Sequence, residues 1–176
     1  MIFTVTRLIG IDAGHRIMTH GSKCRHLHGH RYQIEASAEA RHLHAEGEQT
    51  GMVIDFSFLK DEMLAEIDTP CDHGFIASCE DTELLRMFAP EDSEAESWQT
   101  NLRQEARAQG FAIPRRCRLD TKLYVIVGQP TAETLARHWF ARLAPRVIAR
   151  SEGLAALTAV TVHETPNCRA EYRPKR

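Results

Sequence analysis

His15 and the run Cys24-Arg25-His26-Leu27-His28-Gly29-His30 combine the residue types of a metal site with a nearby thiol. Two histidines one residue apart on a β-strand project from the same face, because side chains alternate with period two. His28 and His30 can therefore reach one ion. Three neutral imidazoles on zinc leave one tetrahedral position open, the arrangement of a catalytic rather than a structural zinc. Cys24 sits just upstream of His28. Its thiolate, favoured by positive charge from Lys23, Arg25 or a metal ion, is a candidate base. The alternative for Cys24 is a fourth ligand that closes a structural site.

The phase of the flanking residues brings in the third imidazole. Upstream of His15, the positions Ala13, Ile11, Ile9, Val5 and Phe3 share its parity and are apolar, whereas Asp12, Thr6 and Thr4 fall on the other face. Downstream of His30, Tyr32, Ile34, Ala36 and Ala38 continue its face, and Arg31, Gln33, Glu35 and Glu39 do not. His15 ends the buried face of one strand, and His28 and His30 begin that of the next. Antiparallel pairing through the loop 16–27 sets these ends side by side, so that the three rings converge. His26 shares the parity of His28 and His30, and spacing alone does not separate it from them. His42 and His44 repeat the pattern, but at about 3.3 Å per residue they lie roughly 40 Å along the strand, where no third ligand faces them. They read as a solvated strand end, and His20, in a Gly/Ser loop, reads as exposed.

Two further positions carry chemical potential. Asp72-His73 offers a histidine whose tautomer a carboxylate can fix for proton transfer near neutral pH, although adjacent residues need not face each other. Glu164 is in phase with the apolar Val160 and Val162. A carboxylate on such a face needs a partner with several N–H donors, unless the strand ends at Val162 and Glu164 is wet. Cys71, Cys79, Cys117 and Cys168 have no such setting and read as small buried hydrophobes.

The 176 residues, 43% hydrophobic, suffice for one domain with a proper core, and one domain over residues 1–176 is expected. A net charge of -2 gives no general basic surface for nucleic acid, and no apolar run approaches a membrane span. Met1-Ile2-Phe3-Thr4 does not open a secretory signal, and five cysteines without a Cys-x-x-Cys pair fit a reducing compartment. These features predict a cytoplasmic protein with no membrane and no nucleic-acid partner.

Asp55 is a good N-cap for a helix with Phe56, Leu59, Met63 and Ile67 on one face, stopping before Pro70. A second helix starts at Thr131, carries Leu135, Trp139 and Leu143, and ends near Pro145. Residues 122–127 and 157–164 read as strands. Before these strands, roughly residues 79–120 read as an insertion of helical hairpin type, containing a helix opened by a capping box at Ser93-Glu94-Ala95-Glu96 and closed by Gly110, and more a surface decoration than part of the chemistry. The expected class is α+β: an antiparallel four-stranded sheet with helices on one face.

Six motifs occur in order along nearly the whole chain: Asp12-Ala13-Gly14-His15, Cys24-x-x-x-His28-Gly29-His30-x-Tyr32, Gly51-Met52-Val53-Ile54-Asp55-Phe56, Asp72-His73, Pro130-Thr131-Ala132-Glu133 and His163-Glu164-Thr165. In these the chain resembles the 6-pyruvoyl-tetrahydropterin synthase family. The three-residue gap between Cys24 and His28 resembles its bacterial carboxy-tetrahydropterin branch, which serves queuosine biosynthesis, whereas pyruvoyl enzymes typically have a longer gap. The resemblance implies the tunnelling fold, assembled as a homohexamer from two trimers with sites at subunit interfaces. It implies zinc on His15, His28 and His30, Cys24 as base, Asp72 and His73 as a proton relay, and Glu164 as pterin anchor with Thr131 and Glu133 near the pocket. The implied reaction converts 7,8-dihydroneopterin triphosphate to 6-carboxytetrahydropterin, acetaldehyde and triphosphate. A pyruvoyl-type synthase and a non-catalytic zinc- or pterin-binding protein are the alternatives. An anionic triphosphate needs local cations, for which Arg16, Lys23 and Arg25 are the candidates. The segment between His73 and Lys122 is longer than in compact family members.

Overall fold

The two apolar alternations fold into paired strands of thirteen residues each, β1 (Phe3–His15) and β2 (His28–Ala40), joined antiparallel over their whole length. The computed structural model describes residues 1–92 and 94–175. Ile9, Ile11, Ala13 and His15 of β1 and Tyr32, Ile34, Ala36 and Ala38 of β2 are buried on one face, as the parity predicts. The other face carries polar pairs: Thr6 with Ser37, Arg31 with Asp12, and Glu35 with a histidine of a later strand, His163.

Five further strands complete the sheet among the described residues: β3 (Gly74–Ser78), β4 (Phe111–Ala112), β5 (Leu123–Ile126), β6 (Ala156–Thr165) and β7 (Cys168–Tyr172). The order is β4-β5-β3-β1-β2-β6-β7, with β3 parallel to both β1 and β5 and the remaining neighbours antiparallel. The α+β class stands, but the sheet is seven-stranded and mixed, not four-stranded and antiparallel. The strand expected at 122–127 is present as β5, and the physical reason for the mixed sheet lies in β3, which joins β1 and β5 in parallel. Ile76, Tyr124 and Ile126 enter the main core, while Ala77, Leu123 and Val125 enter a second core on the opposite face. A strand buried on both sides shows a continuous apolar run rather than an alternation, and Phe75-Ile76-Ala77 therefore does not announce a strand.

Helices cover both faces. Asp55 caps α1 (Phe56–Met63) by accepting from Ser57 N at 2.6 Å. The chain then passes through a π-helical turn, Leu64–Asp68, into the single turn α2 (Thr69–Cys71). Pro70 does not stop it at once: the helix ends at Cys71, one residue later. On the opposite face, α3 (Thr82–Phe88) and α4 (Ala95–Gln109) bury Leu84, Leu85, Leu102 and Ala106 against Ala77, Leu123 and Val125. The segment read as a surface insertion thus builds a second core and supplies β4. Gly110, at φ 89°, closes α4 in the left-handed conformation, while Ser93 of the expected capping box lies outside the described residues.

The long helix α5 (Ala132–Arg150) packs Leu135, Trp139, Leu143 and Val147 into the main core. It runs past Pro145, where an end was expected. Pro145 and Ala141, whose carbonyl loses its donor, are both on the exposed side, where a carbonyl without its helical donor costs little. Burial of Val147 and the pairing of Arg146 and Arg150 with Glu62 hold the final turn.

Candidate metal centre

Register brings the histidines together. His15 lies opposite His28, Gly14 opposite Gly29, and Ala13 opposite His30. The glycines permit this pairing: a Cβ on Gly29 would stand 3.0 Å from the Ala13 carbonyl oxygen, and one on Gly14 would stand 2.5 Å from the Phe75 ring. One ring nitrogen from each of His15, His28 and His30 lies within 4.8 Å of the other two.

Hydrogen bonds decide which nitrogens are free. His15 Nδ1 donates to the Pro130 carbonyl at 2.9 Å, and His28 Nδ1 donates to the His26 carbonyl at 2.7 Å, since a carbonyl can only accept. Each neutral ring then carries its lone pair on Nε2, and these two nitrogens face each other at 3.1 Å. A proton between them would require one imidazolium. Burial lowers His15 to about 4, helped by His28 and His30 and opposed by the Pro130 bond, which favours the neutral His15 ring at neutral pH. Burial also lowers His30. Converging imidazole lone pairs with carbonyls fixing the far nitrogens are the donor set of a zinc-type site, and the residues fit such an ion. Tyr32 packs edge-on against His15 and His30 and adds an apolar wall.

The carboxylate of Glu164 approaches the same cluster, with Oε1 at 3.5 Å from His15 Nε2 and 3.8 Å from His30 Nε2. The β6–β7 ladder shifts register between His163 and Thr165, which leaves Glu164 at the irregularity. Such bulges re-aim side chains. Cys24 stands on a 3-10 turn, Lys23–Arg25, tied down by Ile17 N donating to the Cys24 carbonyl at 2.7 Å. Thr131 caps α5, accepting from Thr134 N at 3.3 Å. Cys24, Thr131, Glu133 and Glu164 all line one pocket of about 250 Å³.

Asp72 and His73 are not part of this pocket. His73 Nδ1 donates to Asp72 Oδ2 at 2.8 Å, and Asp72 Oδ1 accepts from Asp12 N at 2.8 Å. That backbone bond, with His73 and Lys122 adding to it, holds the Asp72 carboxyl below the usual carboxylate range. The His73 side chain is 78% exposed. One chain therefore carries the pair, preassembled, away from Cys24.

Other expectations need correction. Arg16 is engaged by the buried Asp81, the cap of α3, with Nε at 2.6 Å from Oδ2, and is not available to an anionic substrate. Lys23 and Arg25 do not line the pocket, whereas His20 and Arg169 do. Cys71, Cys79 and Cys117 are buried, but Cys168 is exposed and lines the pocket. The signal for Cys168 and Arg169 was the turn-forming Pro166-Asn167 after Glu164, which folds β7 back beside the carboxylate. His26 contributes only its carbonyl, and His42 and His44 lie beyond the end of β2.

A family model described as 6-pyruvoyl tetrahydropterin synthase matches residues 4–175. A 6-carboxy-5,6,7,8-tetrahydropterin synthase of Rickettsia conorii is 31% identical over 166 residues, 94% of this chain and 96% of the relative. One from Haemophilus influenzae is 29% identical over 174 residues, 98% and 99% of the two chains. Among solved structures, an uncharacterized protein from Wolinella succinogenes matches with a TM-score of 0.71 at 22% identity over 99% of each chain. A catalytic-residue mutant of the 6-pyruvoyltetrahydropterin synthase of Plasmodium vivax matches with a TM-score of 0.61 at 17% identity, over 100% of this chain and 99% of that one. These two are similar to this chain in fold.

Proposed function

We propose that this chain, which belongs to the 6-pyruvoyl tetrahydropterin synthase family, is a zinc-dependent 6-carboxy-5,6,7,8-tetrahydropterin synthase acting on 7,8-dihydroneopterin triphosphate. The observation that carries this reading is the single pocket that joins Cys24, Thr131, Glu133 and Glu164, with Glu164 also beside the three-histidine cluster. The relatives bearing that name over nearly the full chain support it.

His15, His28 and His30 would hold a zinc ion, whose Lewis acidity would polarise oxygens of the substrate side chain. Glu164 accepts the paired N–H groups of the pterin's aminopyrimidine edge, a charge-assisted contact suited to a carboxylate in a half-buried pocket. Thr131 and Glu133, at the start of α5, orient the ring from the same wall. Cys24 removes the carbon-bound proton as thiolate. Asp72 holds the His73 Nδ1–H, which leaves Nε2 free to exchange a proton with the side-chain hydroxyl. Elimination of triphosphate and carbon–carbon cleavage by water, which supplies the second carboxyl oxygen, then release acetaldehyde. With Arg16 engaged by Asp81, His20 and Arg169 are the basic residues that face the triphosphate.

The exposure of His73 and its absence from the Cys24 pocket favour a relay that serves a second copy of the chain, in a homo-oligomer such as a hexamer of two trimers. Mixing variants tests this. Cys24→Ala and His73→Asn, the latter chosen because Asn tolerates the φ of 56° at this position, should each be inactive alone. Unfolded together and refolded as a mixture, they should regain roughly a quarter of wild-type activity, because random assembly pairs intact Cys24 with intact His73 in that share of sites. A mixture as inactive as its parts, with both variants folded and metal-loaded, contradicts the shared site. A Cys24→Ala protein with full activity removes the assigned base.

A further inference from the structure

The Glu164 carboxylate lies within reach of two partners. On one side its Oε1 is 3.5 Å from His15 Nε2 and 3.8 Å from His30 Nε2. Two ligands of a tetrahedral zinc, each about 2.0–2.1 Å from the ion, stand roughly 3.4 Å apart. The oxygen is thus near ligand-to-ligand distance from two of the three imidazoles. On the other side the same carboxylate lines the pocket with Cys24, Thr131 and Glu133. Its side chain is 26% exposed and stands at the register shift of the β6–β7 ladder, so it is not locked in the core.

The imidazole lone pairs give this position a direction. His15 Nε2 carries no hydrogen once Nδ1 donates to Pro130, so it cannot donate to Glu164. A carboxylate facing that lone pair is stabilised by a cation between them. The mutually close group of ligand atoms comprises His15, His28 and His30 alone, so the carboxylate must rotate toward His28 to complete a tetrahedron. Rotation of one partly exposed glutamate is enough.

We infer that Glu164 is a switchable fourth ligand. It closes the metal site while the pocket lacks a pterin, and the pterin's aminopyrimidine edge draws it off, which opens the coordination position only when substrate is present. The inference rests on the reading of this pocket as a pterin site and deepens it. A carboxylate cannot present the same oxygens in full to a metal and to two N–H donors, so pterin binding and carboxylate ligation oppose each other, and linkage makes the effect reciprocal.

The test uses the full chain, stripped with a chelator and reloaded with cobalt(II), whose visible absorption reports its coordination. Unsubstituted pterin, which has the aminopyrimidine edge and no side chain to bind the metal, is the probe. The wild-type cobalt spectrum should change on adding pterin, and Glu164→Gln should show an altered spectrum before any pterin is added. The zinc affinity of Glu164→Gln, measured against a chromophoric chelator, should fall roughly tenfold or more. Pterin that binds the wild-type protein by fluorescence quenching yet leaves the cobalt spectrum unchanged overturns the switch and spares the pocket assignment. Pterin that does not bind at all overturns both. The wild-type arm needs no variant to fold.

Discussion

His15 Nε2 and His28 Nε2 face each other across 3.1 Å, and both rings have already donated their Nδ1 hydrogens to carbonyls, of Pro130 and His26. The backbone therefore sets the tautomers before any ion arrives. Gly29 next to them keeps β1 and β2 close, since a Cβ there would stand 3.0 Å from the Ala13 carbonyl oxygen, while Gly14 leaves room for the Phe75 ring of β3.

Metal content should follow these three rings. The wild-type protein should retain about one zinc per chain after dialysis, as a three-imidazole site does, and His28→Ala with His30→Ala should retain none. His42→Ala, beyond the end of β2, should match the wild type. Elemental analysis reads the result. Zinc held at full stoichiometry by the doubly substituted protein would rule out the site.

Arg16 and Arg169 should separate stability from anion binding. Arg16→Ala leaves the 3%-exposed Asp81 without its guanidinium and should cost about 3 kcal/mol in chemical denaturation, the range for breaking a buried pair. Tripolyphosphate binding should be unchanged. Arg169→Ala, at the pocket rim, should do the reverse. A stable Arg16→Ala protein that no longer binds tripolyphosphate would restore Arg16 as an anion receptor.

Acid stability should depend on His138, whose Nε2 accepts from the Tyr124 hydroxyl at 2.7 Å. Burial, with Arg142 adding to it, lowers this histidine from 6.5 to about 4. Between those values the unfolded chain binds a proton that the folded chain refuses, so stability is fully present above 6.5 and declines as pH falls toward 4. The loss attributable to this residue is on the order of 3 kcal/mol. His138→Gln, which keeps an uncharged acceptor, should remove that part of the slope. Denaturation curves at several pH values would decide, and a slope identical in the variant would exclude His138 as the source.

The metal-bearing half of the protein was legible because β1 and β2 are buried on one face only. Their alternation gave the parity of His15, His28 and His30 directly, and antiparallel pairing gave their meeting point. β5 was legible as the apolar run within 122–127, but β3 was not, because a strand buried on both faces loses the period, and the helices packed on its second face then read as decoration. The Arg16–Asp81 pair was hidden for another reason: its partners are far apart in sequence, and no local pattern couples them. The absence of His73 from the pocket that Cys24 lines was invisible as well, since spacing says nothing about which side chains share a pocket.

Product identity tests the central claim most directly. The metal-loaded protein incubated with 7,8-dihydroneopterin triphosphate should release acetaldehyde and triphosphate in equal amounts with 6-carboxytetrahydropterin, measured by mass spectrometry and coupled reduction of the aldehyde. Consumption of substrate without acetaldehyde, giving a 6-pyruvoyl product instead, would contradict the assignment. No turnover with zinc bound would reduce the protein to a binding module.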